Sequence, residues 1–232
     1  MDKILITGAA GFIGYHFLKK VSQKKFKFIL IDNHQRGKSD KYFNKIIREL
    51  KYVKILKNDL TKPFDIKEKK IKYVFHFAAR LGVKNVISKP SKTINDNLTM
   101  LINTLNAIKV NNKNAKFIFF SSSEVYSPII DLKVAKFPLK ENVNLIIKKK
   151  TEPRDSYYIS KLLGEKIVHL SGLKYLCLRP HNIYGPRMGF SHVIPELVQK
   201  IGRNSEKKIK IFSPTHKRAF CYIDDAIDQI LN

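Results

Sequence analysis

Short, almost wholly apolar runs alternate along the chain with longer segments in which apolar residues recur every three or four positions. The first kind reads as buried strand, the second as helix packed by one face. Ile4-Leu5-Ile6 opens as a strand, a glycine cluster follows, and Phe12 to Val21 has helical spacing. A second strand runs from Phe26 to Ile31 and ends on Asp32. A polar loop from Asn33 to Asp40 and a short helix around Tyr42 to Leu50 come next. Tyr52 to Leu56 and Tyr73 to Phe77 are the third and fourth strands. Thr93 to Val110 reads as a helix through Leu98, Leu101, Ile102, Leu105 and Ile108. Phe117 to Phe120 is a fifth strand, Tyr157 to Leu170 a helix, and Tyr175 to Leu178 a sixth strand closed by Arg179-Pro180. Beyond Pro186 the pattern loosens into a helix (Val193 to Ile201), a short strand (Ile209 to Phe212) and a final helix (Asp224 to Leu231).

Strands that are apolar throughout, rather than on alternate residues, are covered on both faces. Alternating with helices, they place the chain in the α/β class with a parallel sheet, and right-handed crossovers make that sheet doubly wound. The pattern divides into a sheet domain, residues 1–185, and the beginning of a small C-terminal lobe, residues 186–232.

A hydrophobic content of 44% is enough for a proper core. Cys177 and Cys221 make no disulfide framework, which fits a reducing compartment. No apolar run reaches membrane-spanning length, and the brief Lys3–Thr7 stretch does not resemble a secretory signal. A cytoplasmic protein is expected. The net charge of +26 raises the question of nucleic-acid binding. The basic residues are mostly Lys and scattered, and the clusters at 67–70, 148–150 and 207–208 are not interleaved with aromatics. A solvated surface is the simpler reading, with no specific nucleic-acid partner, and such a field also suits a polyanionic substrate.

Gly8-Ala9-Ala10-Gly11-Phe12-Ile13-Gly14 follows the first strand and opens a helix. Glycines there let the backbone turn sharply and approach a pyrophosphate, which lies at the helix N-terminus. Asp32 ends the next strand, where a carboxylate grips ribose hydroxyls and repels a 2′-phosphate, favouring NAD over NADP. Arg36 and Lys38 are the nearby residues that would accommodate such a phosphate instead. Tyr157 and Lys161 are four apart on a helix and share a face. An ammonium beside a phenol favours the phenolate, so Tyr157 could take a proton from a hydroxyl. Ser121-Ser122-Ser123-Glu124 follows the fifth strand, at the sheet end where ligands bind.

With these residues in place the chain resembles the extended short-chain dehydrogenase/reductase family, the nucleotide-sugar epimerases, dehydratases and decarboxylases. The matching stretches are residues 7–14, Asp32-Asn33, Asn58-Asp59-Leu60, His76-Phe77-Ala78-Ala79, residues 122–126, Tyr157 to Lys161, residues 179–186 and Arg218 to Asp225. The resemblance implies a Rossmann domain and a cofactor site of Gly8, Gly11, Phe12, Ile13, Gly14, Asp32, Asn33, Asp59, Leu60, Ala78, Ala79, Tyr157 and Lys161 for NAD. Asp59 would meet the adenine, and Ala78 and Ala79 would line the cofactor channel. The implied catalytic set is Ser122, Glu124, Tyr157 and Lys161, with no metal. Substrate would be held by Ser122, Ser123, Asn182, Arg187 and Arg218.

What the resemblance implies is an NAD-dependent epimerase or dehydratase, an isomerase or a lyase, acting by transient oxidation at C4 of a UDP-, GDP- or dTDP-linked sugar. Glu124 would serve as an extra acid/base, because a C4 ketone acidifies the neighbouring C–H. Ser123 stands where one dehydratase pattern has Asp, so the Ser-Glu pair is closer to the GDP-mannose dehydratase and UDP-glucuronate decarboxylase versions. Ser127 stands where the family usually has glycine. A homodimer through the Thr93–Val110 and Tyr157 helices is implied as well. The family continues beyond the Arg218 motif whereas this chain stops at Asn232, which keeps a fragment, a short form and a pseudoenzyme open. The alternatives are a UDP-glucuronate-type decarboxylase and a catalytically inactive dinucleotide-binding fragment.

Overall fold

A computed structural model describes residues 1–35, 37, 39–190, 192–203 (Arg203 by its backbone alone), 215 and 217–232. Six strands, β1 (Lys3–Thr7), β2 (Lys27–Asp32), β3 (Val53–Lys57), β4 (Ile71–His76), β5 (Lys116–Phe120) and β6 (Lys174–Leu178), form one sheet in the order β3-β2-β1-β4-β5-β6. Every pairing is parallel. The order reverses between β1 and β4, so the sheet is doubly wound with its switch point beside the glycine turn.

The helices of this unit are α1 (Phe12–Val21), α2 (Lys41–Glu49), α3 (Val83–Ser88), α4 (Pro90–Asn111), α5 (Ser127–Asp131) and α6 (Asp155–His169). The apolar runs of the inner strands are buried, with Leu5, Ile6, Leu30, Ile31 and Phe117 at most 1% exposed, while Lys27, Lys72 and Lys116 stay exposed. The edge strands depart from that expectation. In β3 and β6 no residue is fully buried, because each has a sheet neighbour on one side only. One core cluster joins Leu5, Ile31, Leu101, Ile108 and Phe117; a smaller one joins Val125, Tyr126, Ile129 and Leu162.

The helix expected from Thr93 starts earlier, at Pro90, where proline at the first turn sacrifices no intrahelical bond. Helices α3 and α5, six and five residues long, escape sequence reading because each is too short to show a period. Ser127 opens α5 with φ −53°, ordinary helical backbone, so a side chain in place of glycine costs nothing there.

The chain divides into two compact units, Met1–Pro180 and His181–Asn232. Within the second, β7 (Asn182–Tyr184) pairs in parallel with β8 (Phe220–Tyr222) in a sheet of its own, which is why the unit begins before residue 186. Helices α7 (Val193–Arg203) and α8 (Ile223–Leu231) complete it. Gly185 takes φ +154°, and a Cβ there would stand 3.1 Å from Ile223 Cβ and closer still to its Cγ2. The strand expected at Ile209–Phe212 lies outside the described residues, as do Arg36, Lys38 and the lysines at 207–208. Among the described residues no helix is long and apolar enough to cross a membrane.

Candidate active site

Parallel pairing brings the carboxyl ends of all six strands to one edge of the sheet, and the residues singled out by the sequence of the first unit gather there. Gly8, at φ +68°, turns the chain out of β1. A Cβ on Gly8 would come 2.8 Å from Ala78 N, so the turn lies directly against the residue that leaves β4. Gly11 is the N-cap of α1 with no side-chain cap, and Phe12 and Ile13 begin the helix half-buried. The first-turn N–H groups are therefore not claimed by a capping side chain, the arrangement that suits a pyrophosphate. A Cβ on Gly14 would lie 2.9 Å from Ala9 Cα and O, and nearer still to the Gly8 carbonyl. Gly14→Ala is thus expected to cost about 2–3 kcal/mol by overpacking against backbone and to weaken dinucleotide binding together with it. Urea unfolding alongside an NAD titration checks both.

Asp32 ends β2 with its carboxylate turned back on the glycine turn: Ala10 N–H donates to Oδ2 at 3.0 Å and His34 N–H to Oδ1 at 2.7 Å. Asn33 is next to it, its Oδ1 accepting from Gln35 N–H at 3.0 Å. The carboxylate oxygens retain lone pairs for ribose hydroxyls, so Asp32 both fastens the turn and fits the expected contact. Asp59 Oδ1 accepts from the Thr61 N–H (3.0 Å) and hydroxyl (2.9 Å), and the backbone bond above all holds its carboxyl below the usual range. Leu60 is buried beside it. The uncapped helix start, the turn of glycines and alanines and the carboxylate at the end of β2 together fit NAD.

Ser122 leaves β5 buried, and its hydroxyl accepts from Glu124 N–H at 3.2 Å, capping the 3-10 turn Ser123–Tyr126. Lys161 is 4% exposed, and its Nζ donates to Phe120 O at 2.6 Å. That Nζ lies 5.8 Å from the Tyr157 ring centre, so the two share the face of α6 that looks at the end of β5. Burial pulls the Lys161 amine down to about 8, leaving it mainly protonated at neutral pH. Tyr158 faces away: it is 2% exposed, accepts from Lys148 N–H at 3.5 Å, and burial raises its phenol. Glu124 stays partly exposed, with Arg154 Nη2 3.7 Å from its Oε1.

Several residues that sequence reading did not single out hold these groups. Asn97, buried on α4, accepts from Arg80 N–H (2.6 Å), donates to Arg80 O (3.2 Å) and donates to Ser160 Oγ (3.0 Å). Ser160 in turn donates to Tyr157 O at 2.7 Å. The segment after Ala78-Ala79 and the start of α6 are thereby tied through one amide. Thr7 Oγ1 accepts from Ala78 N–H at 3.4 Å and shares a 3.0 Å hydrogen bond with Nδ1 of the buried His76. Asn182, Arg187 and Arg218 belong to the second unit, where Asn182 Nδ2 donates to Ala219 O at 2.9 Å, Arg187 takes φ +69° and Arg218 is exposed. Among the described residues no three His, Cys, Asp or Glu side chains come together as metal ligands.

The chain is similar to known enzymes that act on nucleotide-linked sugars. The UDP-N-acetyl-alpha-D-glucosaminuronate decarboxylase of Bacillus cytotoxicus is 30% identical over 232 residues, 97% of this chain and 69% of that protein. The dTDP-D-glucose 4,6-dehydratase of Dictyostelium discoideum is 31% identical, over 98% of this chain and 54% of that one. The crystal structure of UDP-glucuronic acid 4-epimerase from Bacillus cereus, in complex with UDP-glucuronic acid and NAD, superposes with a TM-score of 0.77 at 26% identity. It is covered to 72% by 99% of this chain. The model of the NAD dependent epimerase/dehydratase family matches residues 4–232, the glycine turn and both units included, and the chain belongs to that family.

Proposed function

We propose that the chain is an NAD-dependent nucleotide-sugar epimerase or dehydratase, working by transient oxidation at C4 of the sugar. The observation that carries this reading is the Tyr157–Lys161 face of α6, with the Lys161 ammonium fixed on the Phe120 carbonyl beside Ser122. When bound, NAD supplies hydride acceptance and return. The chain supplies the rest. Tyr157 removes the proton of the C4 hydroxyl through its phenol oxygen, and Lys161 stabilises the phenolate. Ser122 donates to the same sugar oxygen. Glu124, partly exposed, moves the proton that a C4 ketone loosens on the neighbouring carbon. Arg187, Arg218 and Asn182 of the second unit hold the diphosphate, and His181–Asn232 serves as the substrate-binding lobe. The exposed Ile102 and Val110 of α4 and Leu170 after α6 suit a homodimer contact.

A second reading, decarboxylation of a nucleotide-linked uronate, is favoured by Arg154. Its guanidinium beside Glu124 would offset the charge of a sugar carboxylate. One experiment separates these readings: mass spectrometry of products after purified chain and NAD meet a panel of UDP-, GDP- and dTDP-sugars. Loss of water marks a dehydratase, loss of carbon dioxide a decarboxylase, and an isomer of unchanged mass an epimerase. Bound NAD with no product from any of them overturns the enzyme reading in favour of a binding protein.

A further inference from the structure

Glu165 and Arg179 lie outside every role assigned above. Glu165 sits on α6 one turn beyond Lys161 and two beyond Tyr157, and it is 8% exposed. Its Oε1 accepts from Ser121 Oγ at 2.5 Å and from Arg179 Nε at 2.8 Å, and its Oε2 accepts from Arg179 Nη2 at 2.8 Å. Arg179 leaves β6 and uses Nη1 twice more, donating to the Tyr126 phenol oxygen at 2.6 Å and to Glu141 O at 2.9 Å. The guanidinium also lies 5.1 Å from the Tyr126 ring centre. One planar cation therefore ties α6, the 3-10 turn and the segment around Glu141, a fork that a lysine cannot reproduce.

The same turn is gripped through its backbone. Ser121 N–H donates to Leu178 O at 2.8 Å and Ser123 N–H to Pro180 O at 3.0 Å. Ser122 and Glu124 thus stand on a segment held at Ser121, Ser123 and Tyr126, while Tyr157 and Lys161 stand on the helix that supplies the Glu165 end of the clamp. A buried ion pair is an inefficient source of stability, since well-packed apolar residues of similar volume often replace it without loss. Apolar residues cannot, however, impose the fixed spacing and direction of four charge-assisted bonds.

We propose that Glu165 and Arg179 are positioning residues, setting the spacing between the Ser122–Glu124 turn and the Tyr157–Lys161 face. The clamp then governs turnover and leaves cofactor binding alone, an inference that rests on the enzyme reading of this site. Three variants of the full chain test it: Tyr126→Phe, Arg179→Lys and the double variant Glu165→Leu/Arg179→Met. Tyr126→Phe removes one arm of the fork and leaves Nη1 on Glu141, so it is the variant that stays folded if the others do not. Because small misplacements of reacting groups cost up to about a hundredfold, Tyr126→Phe and Arg179→Lys are expected to lower kcat roughly tenfold or more. KM and the NAD dissociation constant should stay within about twofold. The double variant should unfold near the parental urea midpoint yet remain slow. Amide hydrogen exchange of residues 122–126 should quicken in Arg179→Lys while that of α6 does not. Folded variants with parental kcat, a double variant with parental kcat, or unchanged exchange at 122–126 each overturn the proposal. If the parent turns over no nucleotide sugar, the enzyme reading fails by itself, and the exchange measurement still decides whether the clamp holds the turn.

Discussion

Replacing Tyr157 by Phe is expected to lower turnover of any accepted nucleotide sugar by about three orders of magnitude while NAD affinity stays within about twofold. The phenol oxygen is the one group on the Tyr157–Lys161 face suited to receive the hydroxyl proton at C4. Lys161 cannot replace it, because Nζ is buried and committed to Phe120 O at 2.6 Å. The ring itself survives the substitution, so its packing and the cation–π contact with Nζ at 5.8 Å persist. What disappears is the oxygen alone. Tyr158→Phe is the internal control. Its phenol is buried away from that face and accepts a long bond from Lys148 N–H, so near-parental turnover is expected. Single-turnover rates by product mass spectrometry, with NAD binding by fluorescence titration, read both quantities. Turnover of Tyr157→Phe within tenfold of the parent, or an equal loss in Tyr158→Phe, removes the assignment of Tyr157 as the base.

That Tyr157 rather than Tyr158 faces the site follows from helix periodicity, because four residues bring Tyr157 over Lys161. The glycine turn and Asp32 were readable for a similar reason: each depends on a few consecutive residues and on where a strand ends. The supports around them were not. Asn97 reaches Ser160 across 63 positions and Arg179 reaches Tyr126 across 53, and no local spacing encodes such meetings. Glu165 and Arg179 each lie beside a recognisable stretch, yet nothing in either stretch says that they form one fork. Strands β7 and β8 went unread because three residues are too few to show alternation. Glu124 was legible as a carboxylate just after the fifth strand, whereas its pairing with Arg154 depends on how α6 enters beside the 3-10 turn.

Acid should destabilise this protein through His76, well above the pH at which carboxylates titrate. His76 is 1% exposed, stacked near Phe119 and tilted on Phe117. Burial, helped by the Lys161 charge, holds its pKa down at about 3. An unfolded chain has it near 6.5. Between those values the unfolded chain takes up a proton that the folded one refuses, so stability is fully present above 6.5 and is lost as pH falls. The slope is about 1.4 kcal/mol per pH unit, roughly 2 kcal/mol between pH 7.5 and 5. His76→Leu starts from a lower stability, since Thr7 loses its partner, but it should lack that slope. Urea unfolding free energies of both proteins at pH 7.5, 6 and 5 decide it, and an equal decline in the two sinks the attribution to His76. Thr7 already accepts from Ala78 N–H, so its hydroxyl proton is free for an unprotonated His76 Nδ1. A neutral imidazole therefore anchors the Gly8–Ala78 contact on which the cofactor turn rests. It also spares the buried Lys161 a second cation nearby, which helps that amine stay protonated at neutral pH.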